Sequence, residues 1–174
     1  MRNDLIERDH ILLPVSPTFI TISLLGAFIS NLIPWGNWIW IPDFVAITLV
    51  FWSIYQPRKV GIGIAFLMGL IMDIHNATLL GENALSYTLL SYFAITIHKR
   101  VLWFKPVSQA IHVLPLFFLM QASQIIIQFL INGKIPSLIF FSKSFISILI
   151  WPIVCWVLLA PQRRAVDRDE TRPI

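Results

Sequence analysis

The chain has 174 residues, of which 57% are hydrophobic and only 13% are charged, and its mean hydropathy is +0.76. A soluble domain carries about 25% charged residues, so this composition excludes an ordinary soluble domain and predicts a membrane protein. The net charge of +4 could indicate a nucleic-acid partner. The basic residues lie at the ends of apolar segments, however, and this placement favours membrane orientation and contact with lipid headgroups over nucleic-acid binding.

Six apolar segments separated by short polar breaks predict six membrane-spanning helices. A helix needs about 20 apolar residues to cross the hydrocarbon core, and the third and fourth segments are shorter than this. The fold class predicted is an all-α integral membrane protein, with one transmembrane domain over residues 1–160 and a polar cytoplasmic tail over residues 161–174. The predicted spans are residues 17–33, 38–55, 60–74, 84–98, 107–131 and 138–159.

The basic residues gather at every second break. Eleven of the 13 Lys and Arg residues fall on one side of this topology, against only Lys134 in the alternate breaks, while Lys143 lies inside a span. Cytoplasmic loops are enriched in Lys and Arg, so the pattern predicts that both termini are cytoplasmic. The eleven residues are Arg2, Arg8, Arg58, Lys59, Lys99, Arg100, Lys105, Arg163, Arg164, Arg168 and Arg172.

Three acids, Asp43, Asp73 and Glu82, are the only ones outside the predicted cytoplasmic termini, and all three map to the outer side. Asp43 follows a proline at the start of the second span, and Glu82 falls at the start of the fourth. Both positions are typical of helix starts, where an acid faces the positive end of the helix dipole. A shared acidic patch is the alternative interpretation.

Asp73 lies at the outer, C-terminal end of the third span, where the helix dipole disfavours a negative charge. An ionisable group inside a span indicates a functional site, and this is one interpretation of Asp73. The alternative is that the acid only reaches the outer membrane interface. The partners that we predict for Asp73 are the side chains of His75, Asn76, Ser86 and Tyr87.

Two helix faces carry further patterns. Gly61, Ala65 and Gly69 recur every four residues on the third span, a spacing that predicts close packing against another membrane helix. On the fifth span, Gln121, Gln124 and Gln128 form an amide stripe. We expect this stripe to face protein or a wet cavity, because amides in lipid would lack hydrogen-bond partners.

The sixth span contains a basic residue, Lys143. Its side chain either snorkels outward or pairs with an outer acid such as Asp73.

No constellation in the sequence predicts catalysis, a metal or a cofactor. The sequence lacks the common hydrolase, zinc and phosphate-loop motifs, and its four histidines do not converge in the predicted topology. The single cysteine, Cys155, lies in an apolar run and is interpreted as a packing residue.

Four short segments give the chain a family resemblance. In order and spacing they match a Pro-Asp that opens the second span, a Gly-Leu-x-x-Asp that closes the third, and a Leu-Gly-x-x-Ala-Leu-x-Tyr that opens the fourth. By these segments the chain resembles the rod shape-determining protein MreD family, firmly over residues 34–100. The segments are Ile41-Pro42-Asp43-Phe44, Gln56-Pro57-Arg58-Lys59-Val60-Gly61, Gly69-Leu70-Ile71-Met72-Asp73 and Leu80-Gly81-Glu82-Asn83-Ala84-Leu85-Ser86-Tyr87.

The resemblance implies a non-enzymatic scaffold in the bacterial inner membrane that acts with MreC and MreB in lateral peptidoglycan synthesis. The glycosyltransferase RodA and its transpeptidase partner belong to the same machinery, and MreC is the partner expected to bind directly. The family is also similar in fold to the substrate-binding subunits of energy-coupling-factor transporters, which leaves a small-molecule or lipid binder with an outward-facing cavity as the alternative. The positions carried over from the family pattern are Asp43, Asp73, Gly81, Ala84, Leu85 and Tyr87.

Overall fold

The computed structural model describes residues 15–34, 41–133 and 141–162, and within these residues the chain is helical without strands. A short 3-10 helix, Ala160–Gln162, follows the last α-helix. The predicted tail beyond residue 162 and the turn around Lys134 lie outside the described residues. The six α-helices are α1 (Pro17–Leu32), α2 (Phe44–Tyr55), α3 (Ile62–Asn76), α4 (Glu82–Val101), α5 (Pro106–Asn132) and α6 (Ser142–Leu159).

Two helical stretches, Pro106–Ile131 and Ser142–Gln162, are long and apolar enough to cross a membrane, and α1, α2 and α3 are shorter apolar helices. The predicted helices are therefore found, while six membrane crossings stay a prediction. The largest difference in a boundary is at α2, which was predicted to start at residue 38. It begins at Phe44, because the side chain of Asp43 accepts a hydrogen bond from the backbone N–H of Ala46 and caps the helix there.

The second helix forms the centre of the bundle. All ten residues from Val45 to Ile54 are buried, and α2 packs against α1, α4 and α6. A helix that is apolar all round is expected in such a position. Some polar side chains inside the bundle are paired, as in the 2.8 Å hydrogen bond between the hydroxyls of Ser53 and Ser91.

Helices α3 and α4 are in backbone contact at Gly69. A Cβ atom at this position would lie 2.6 Å from the backbone nitrogen of Ala84 and 2.7 Å from the carbonyl oxygen of Asn83. Ala65, one turn earlier, is fully buried. Gly61 makes no such contact within the described bundle: it is the N-cap residue of α3, and a Cβ there would meet nothing within 4 Å, so its packing against a partner stays a prediction. The part of the predicted stripe that packs against the bundle is therefore Ala65 and Gly69, toward the C-terminal end of α3.

The charged residues that the structure describes are separated between the two ends of the bundle. Asp43, Asp73 and Glu82 lie at the end formed by the start of α2, the end of α3 and the start of α4. At the opposite end, the hydroxyl of Tyr55 and the side chain of Gln109 are hydrogen-bonded at 3.2–3.3 Å. The basic residues of this second end are Arg58, Lys59, Lys99, Arg100 and Lys105.

Candidate functional site

Asp43 joins three helices at the acidic end of the bundle. Its Oδ1 accepts hydrogen bonds from the backbone N–H of Ala46 at 3.0 Å and from Asn31 Nδ2 at 2.8 Å. Asn31 in turn accepts the backbone N–H of Phe44 at 3.1 Å, and the hydroxyl of Tyr87 donates to Asp43 Oδ2. The predicted helix-start role of Asp43 is thus found, and the same carboxylate also ties α1 and α4 to α2.

Asp73 caps the N-terminus of the following helix. Its carboxylate accepts the backbone N–H groups of Gly81 at 2.8 Å, Asn83 at 2.7 Å and Ala84 at 3.3 Å, and the hydroxyl of Thr78 at 3.2 Å. The first N–H groups of a helix lack partners within the helix, and a negative charge is favourable beside them. The favourable end of the α4 dipole therefore compensates for the unfavourable end of the α3 dipole.

The side-chain partners predicted for Asp73 are wrong, because its four donors lie in the loop and the first turn of α4. Two of the predicted partners bond elsewhere: Tyr87 donates to Asp43, and Ser86 donates to the backbone oxygen of Glu82 at 2.7 Å. Helix capping therefore gives a structural reason for an acid at this helix end.

The motif residues around this cap have separate structural reasons. Gly81 has φ +108°, a left-handed conformation that glycine adopts at little cost, and this bends the chain so that its N–H reaches Asp73. Ala84 is the residue against which Gly69 packs. Tyr87 is fully buried and bonds to Asp43. Three of the four segments that carry the family resemblance thus form one connected structural unit, and the segment over residues 56–61 lies at the opposite end of the bundle.

A cavity of about 700 Å³ opens at the acidic end of the bundle. Asp43 and Glu82 both line it, whereas Asp73 does not and is only 1% exposed. The predicted patch of three acids is therefore corrected to two acids that share a cavity. Most of the residues that line the cavity are polar: Asn31, Asp43, His75, Asn76, Thr78, Glu82, Asn83, Gln121, Gln124, Gln128, Lys143 and Ser147.

The amide stripe of α5 forms one wall of this cavity. Gln128 donates to Glu82 Oε1 at 2.6 Å, and Gln124 donates to Asn83 Oδ1 at 2.9 Å. Gln121 is 4% exposed, and its Oε1 has no hydrogen-bond partner among the described residues. Two members of the stripe, Gln124 and Gln128, therefore bond to another helix, and all three line the cavity.

Lys143 lines the cavity on the α6 side, together with Ser147. The predicted pairing with Asp73 is not supported, since the four donors to that carboxylate come from the α3–α4 connection and the start of α4. Lys143 instead brings a positive charge to a cavity that also contains Asp43 and Glu82. The cavity can therefore bind a polar group through hydrogen bonds and charge.

Three polar residues of the site did not emerge from the sequence analysis: Asn31, Thr78 and Asn83. Asn31 is a single amide near the end of an apolar span, and such an amide in a membrane helix is expected to bond to another helix. This signal could have identified it. No group of three or more His, Cys, Asp or Glu side chains that could hold a metal occurs in the described ranges of the chain.

Comparison with known proteins places this arrangement in a family. The sequence model described as rod shape-determining protein MreD matches residues 13–164. The chain belongs to the MreD family. The rod shape-determining protein MreD of Haemophilus influenzae (strain ATCC 51907 / DSM 11121 / KW20 / Rd) is similar to it, with 28% identity over 139 residues that cover 76% of this chain and 82% of the relative. No solved structure was found to match.

Membership of the MreD family implies a role in determining rod shape. The family consists of structural, shape-determining proteins rather than known enzymes. The family and the two helices of membrane-spanning length together indicate a membrane protein.

Proposed function

We propose that this chain is a non-enzymatic scaffold of the cell-wall elongation machinery, required for lateral peptidoglycan synthesis. In this proposal it lies in the bacterial inner membrane with six spans and both termini in the cytoplasm. It binds MreC directly and belongs to one complex with MreB, RodA and the transpeptidase partner of RodA. The observation that carries the proposal is the family match over residues 13–164.

The geometry of the acidic end supports a binding role. Asp43 and Asp73 accept three and four hydrogen bonds from the described residues, respectively. Carboxylates that are occupied in this way hold helices in place, and a rigid frame lowers the conformational cost of binding. The cavity that they support presents amides and Glu82, which suit recognition through hydrogen bonds.

A second candidate function is a small-molecule or lipid binder with an outward-facing cavity. The cavity volume of about 700 Å³ favours it, because small-molecule sites range from about 300 to 1,000 Å³. Both functions use the same cavity and differ in its occupant, which is a partner subunit in the first and a small molecule or lipid in the second.

Gln121→Met tests whether the cavity is used at all. The buried side-chain oxygen of Gln121 makes no hydrogen bond to the described residues, so its replacement by an apolar chain of similar size should cost little stability. We expect the variant to reach normal membrane levels and to fail to restore rod shape in a strain that lacks its own MreD, as scored by cell width. The matched control is Ile126→Met on the same helix, since Ile126 is 58% exposed. Normal rods with Gln121→Met would show that this wall of the cavity is not used.

Co-purification separates the two functions. We expect MreC to be recovered with the wild-type protein from membranes, and in smaller amounts with Gln121→Met if the occupant is a partner subunit. If MreC recovery is unchanged and mass spectrometry instead shows loss of a bound small molecule or lipid, the binder function replaces the scaffold function.

A further inference from the structure

The turn between α4 and α5 holds an aromatic residue away from the protein at the basic end of the bundle. Trp103 is 90% exposed, although its neighbours are held by regular hydrogen bonds. The backbone N–H of Leu102 donates to His98 at 3.0 Å, and that of Phe104 donates to Val101 at 3.1 Å. Gln109 closes the turn by donating to the carbonyl oxygen of Phe104 at 3.0 Å. The exposure of Trp103 therefore belongs to an ordered turn.

The described charges around this turn have one sign. Lys99, Arg100 and Lys105 are all exposed beside Trp103. The carboxylates that the structure describes lie at the opposite end of the bundle, so none of them neutralises these bases. A surface of this kind is complementary to an anionic one.

The position of the turn along the bundle matches a membrane interface. Helix α4 has 20 residues, which corresponds to about 30 Å at 1.5 Å per residue and so to the thickness of the hydrocarbon core. With Glu82 at one interface, Trp103 lies at the other. Val107 and Ile111 continue from the turn along α5 and are each 70% exposed, which forms an apolar surface adjacent to the basic one.

We propose that the α4–α5 turn binds an anionic phospholipid, with Arg100 and Lys105 on the headgroup phosphate and Trp103 at the level of the headgroups. Tryptophan is enriched at this level because its ring is apolar and its N–H is polar. Long basic side chains reach a phosphate while their stems cover apolar surface. An acidic protein would match the charges but not the apolar surface of Val107 and Ile111, and this surface decides in favour of lipid.

Lipid binding at this turn is independent of the proposed scaffold role, because the turn and the cavity lie at opposite ends of the bundle. The test uses the purified full-length protein in detergent, titrated with phosphatidylglycerol or with phosphatidylcholine of the same acyl chains and followed by native mass spectrometry. We expect the wild-type protein to bind phosphatidylglycerol more tightly. Each basic residue near an anionic surface contributes about 1 kcal/mol, so Arg100→Gln should weaken phosphatidylglycerol binding roughly fivefold and leave phosphatidylcholine binding unchanged.

Arg58→Gln is the matched control, since it removes one charge from the other polar break at the same end of the bundle. Equal weakening by Arg58→Gln and Arg100→Gln would overturn the proposal in favour of a general effect of net charge. Displacement of the lipid by glycerol phosphate would overturn it in favour of a site for soluble phosphate. Equal affinity of the wild type for the two lipids would also overturn the proposal. The basic residues of the turn would then be assigned to binding an acidic protein surface.

A salt series on the wild-type protein keeps the proposal testable if a variant does not fold. The preference for phosphatidylglycerol should fall as the salt concentration rises, because exposed charges are screened. A preference that does not change with salt would overturn the proposal.

Discussion

The carboxylate of Asp73 accepts the backbone N–H of Gly81 at 2.8 Å, so the end of one helix provides the cap for the next. The N–H groups of Asn83 and Ala84 bond to the same carboxylate. The acid is therefore part of the framework that places α4 beside α3. Its effect on function is expected to pass through this framework.

Asp73→Ala should destabilise the protein more than Asp73→Asn. Alanine leaves three backbone N–H groups without an acceptor, and an unsatisfied buried group costs about 1–3 kcal/mol. Asparagine keeps one acceptor oxygen, but its NH2 group replaces the other, so it loses the charge and the acceptor for two of the four donors. We expect thermal unfolding in detergent to rank wild type, Asn and Ala in order of decreasing stability, with rod shape lost in parallel with membrane level. An Asp73→Ala protein of normal stability and level that does not support rod shape would instead show that Asp73 serves a partner.

Gly69→Ala should disrupt the α3–α4 contact. The added Cβ would lie 2.6 Å from the backbone nitrogen of Ala84, and backbone atoms cannot move aside as a flexible side chain can. Gly63→Ala on the same helix is the control, because a Cβ there meets nothing within 4 Å. A helix gains about 0.5–1 kcal/mol from Gly to Ala, so the control should unfold at the wild-type temperature or slightly above it. Equal unfolding temperatures for the two variants would contradict the close contact.

The helices could be predicted from the sequence because apolar runs and polar breaks set them, whereas the cap at Asp73 could not. Every residue except proline carries a backbone N–H, so the amino-acid sequence does not show which backbone N–H groups, such as that of Gly81, bond to Asp73. The stripe on α5 could be predicted to face inward because an amide in lipid lacks partners. Which of its members would bond across helices could not be predicted. Gln124 and Gln128 do so because α4 places Asn83 and Glu82 opposite them.

Tyr87→Phe should destabilise the bundle by about 1–3 kcal/mol, since it removes the hydrogen bond that the buried Tyr87 donates to the half-buried carboxylate of Asp43. Tyr92→Phe is the matched control, because Tyr92 lies on the same helix and is 51% exposed. Thermal unfolding of both variants in detergent measures the difference. If both unfold at the same temperature, the bond between Tyr87 and Asp43 contributes little to stability.

Reporter fusions test the six-span topology. A reporter fused after Gln56 should be active as a cytoplasmic fusion, and one fused after Gly133 should be active as an outer fusion, because the basic residues lie in the breaks on the side of Gln56. Reporters that indicate the same side at both positions would contradict six spans.

The bonds of the Asp73 cap span only 8 to 11 residues of sequence, while the bond between Tyr87 and Asp43 spans 44. Contacts between residues close in sequence require little loop-closure entropy and form early. During synthesis, α3 and α4 can therefore pair before α5 and α6 have left the ribosome. The cavity is complete only when Lys143 and Ser147 arrive. A nascent chain that stops before α6 would thus contain the α3–α4 hairpin but lack a complete cavity, so binding in the cavity is expected to follow the synthesis of α6.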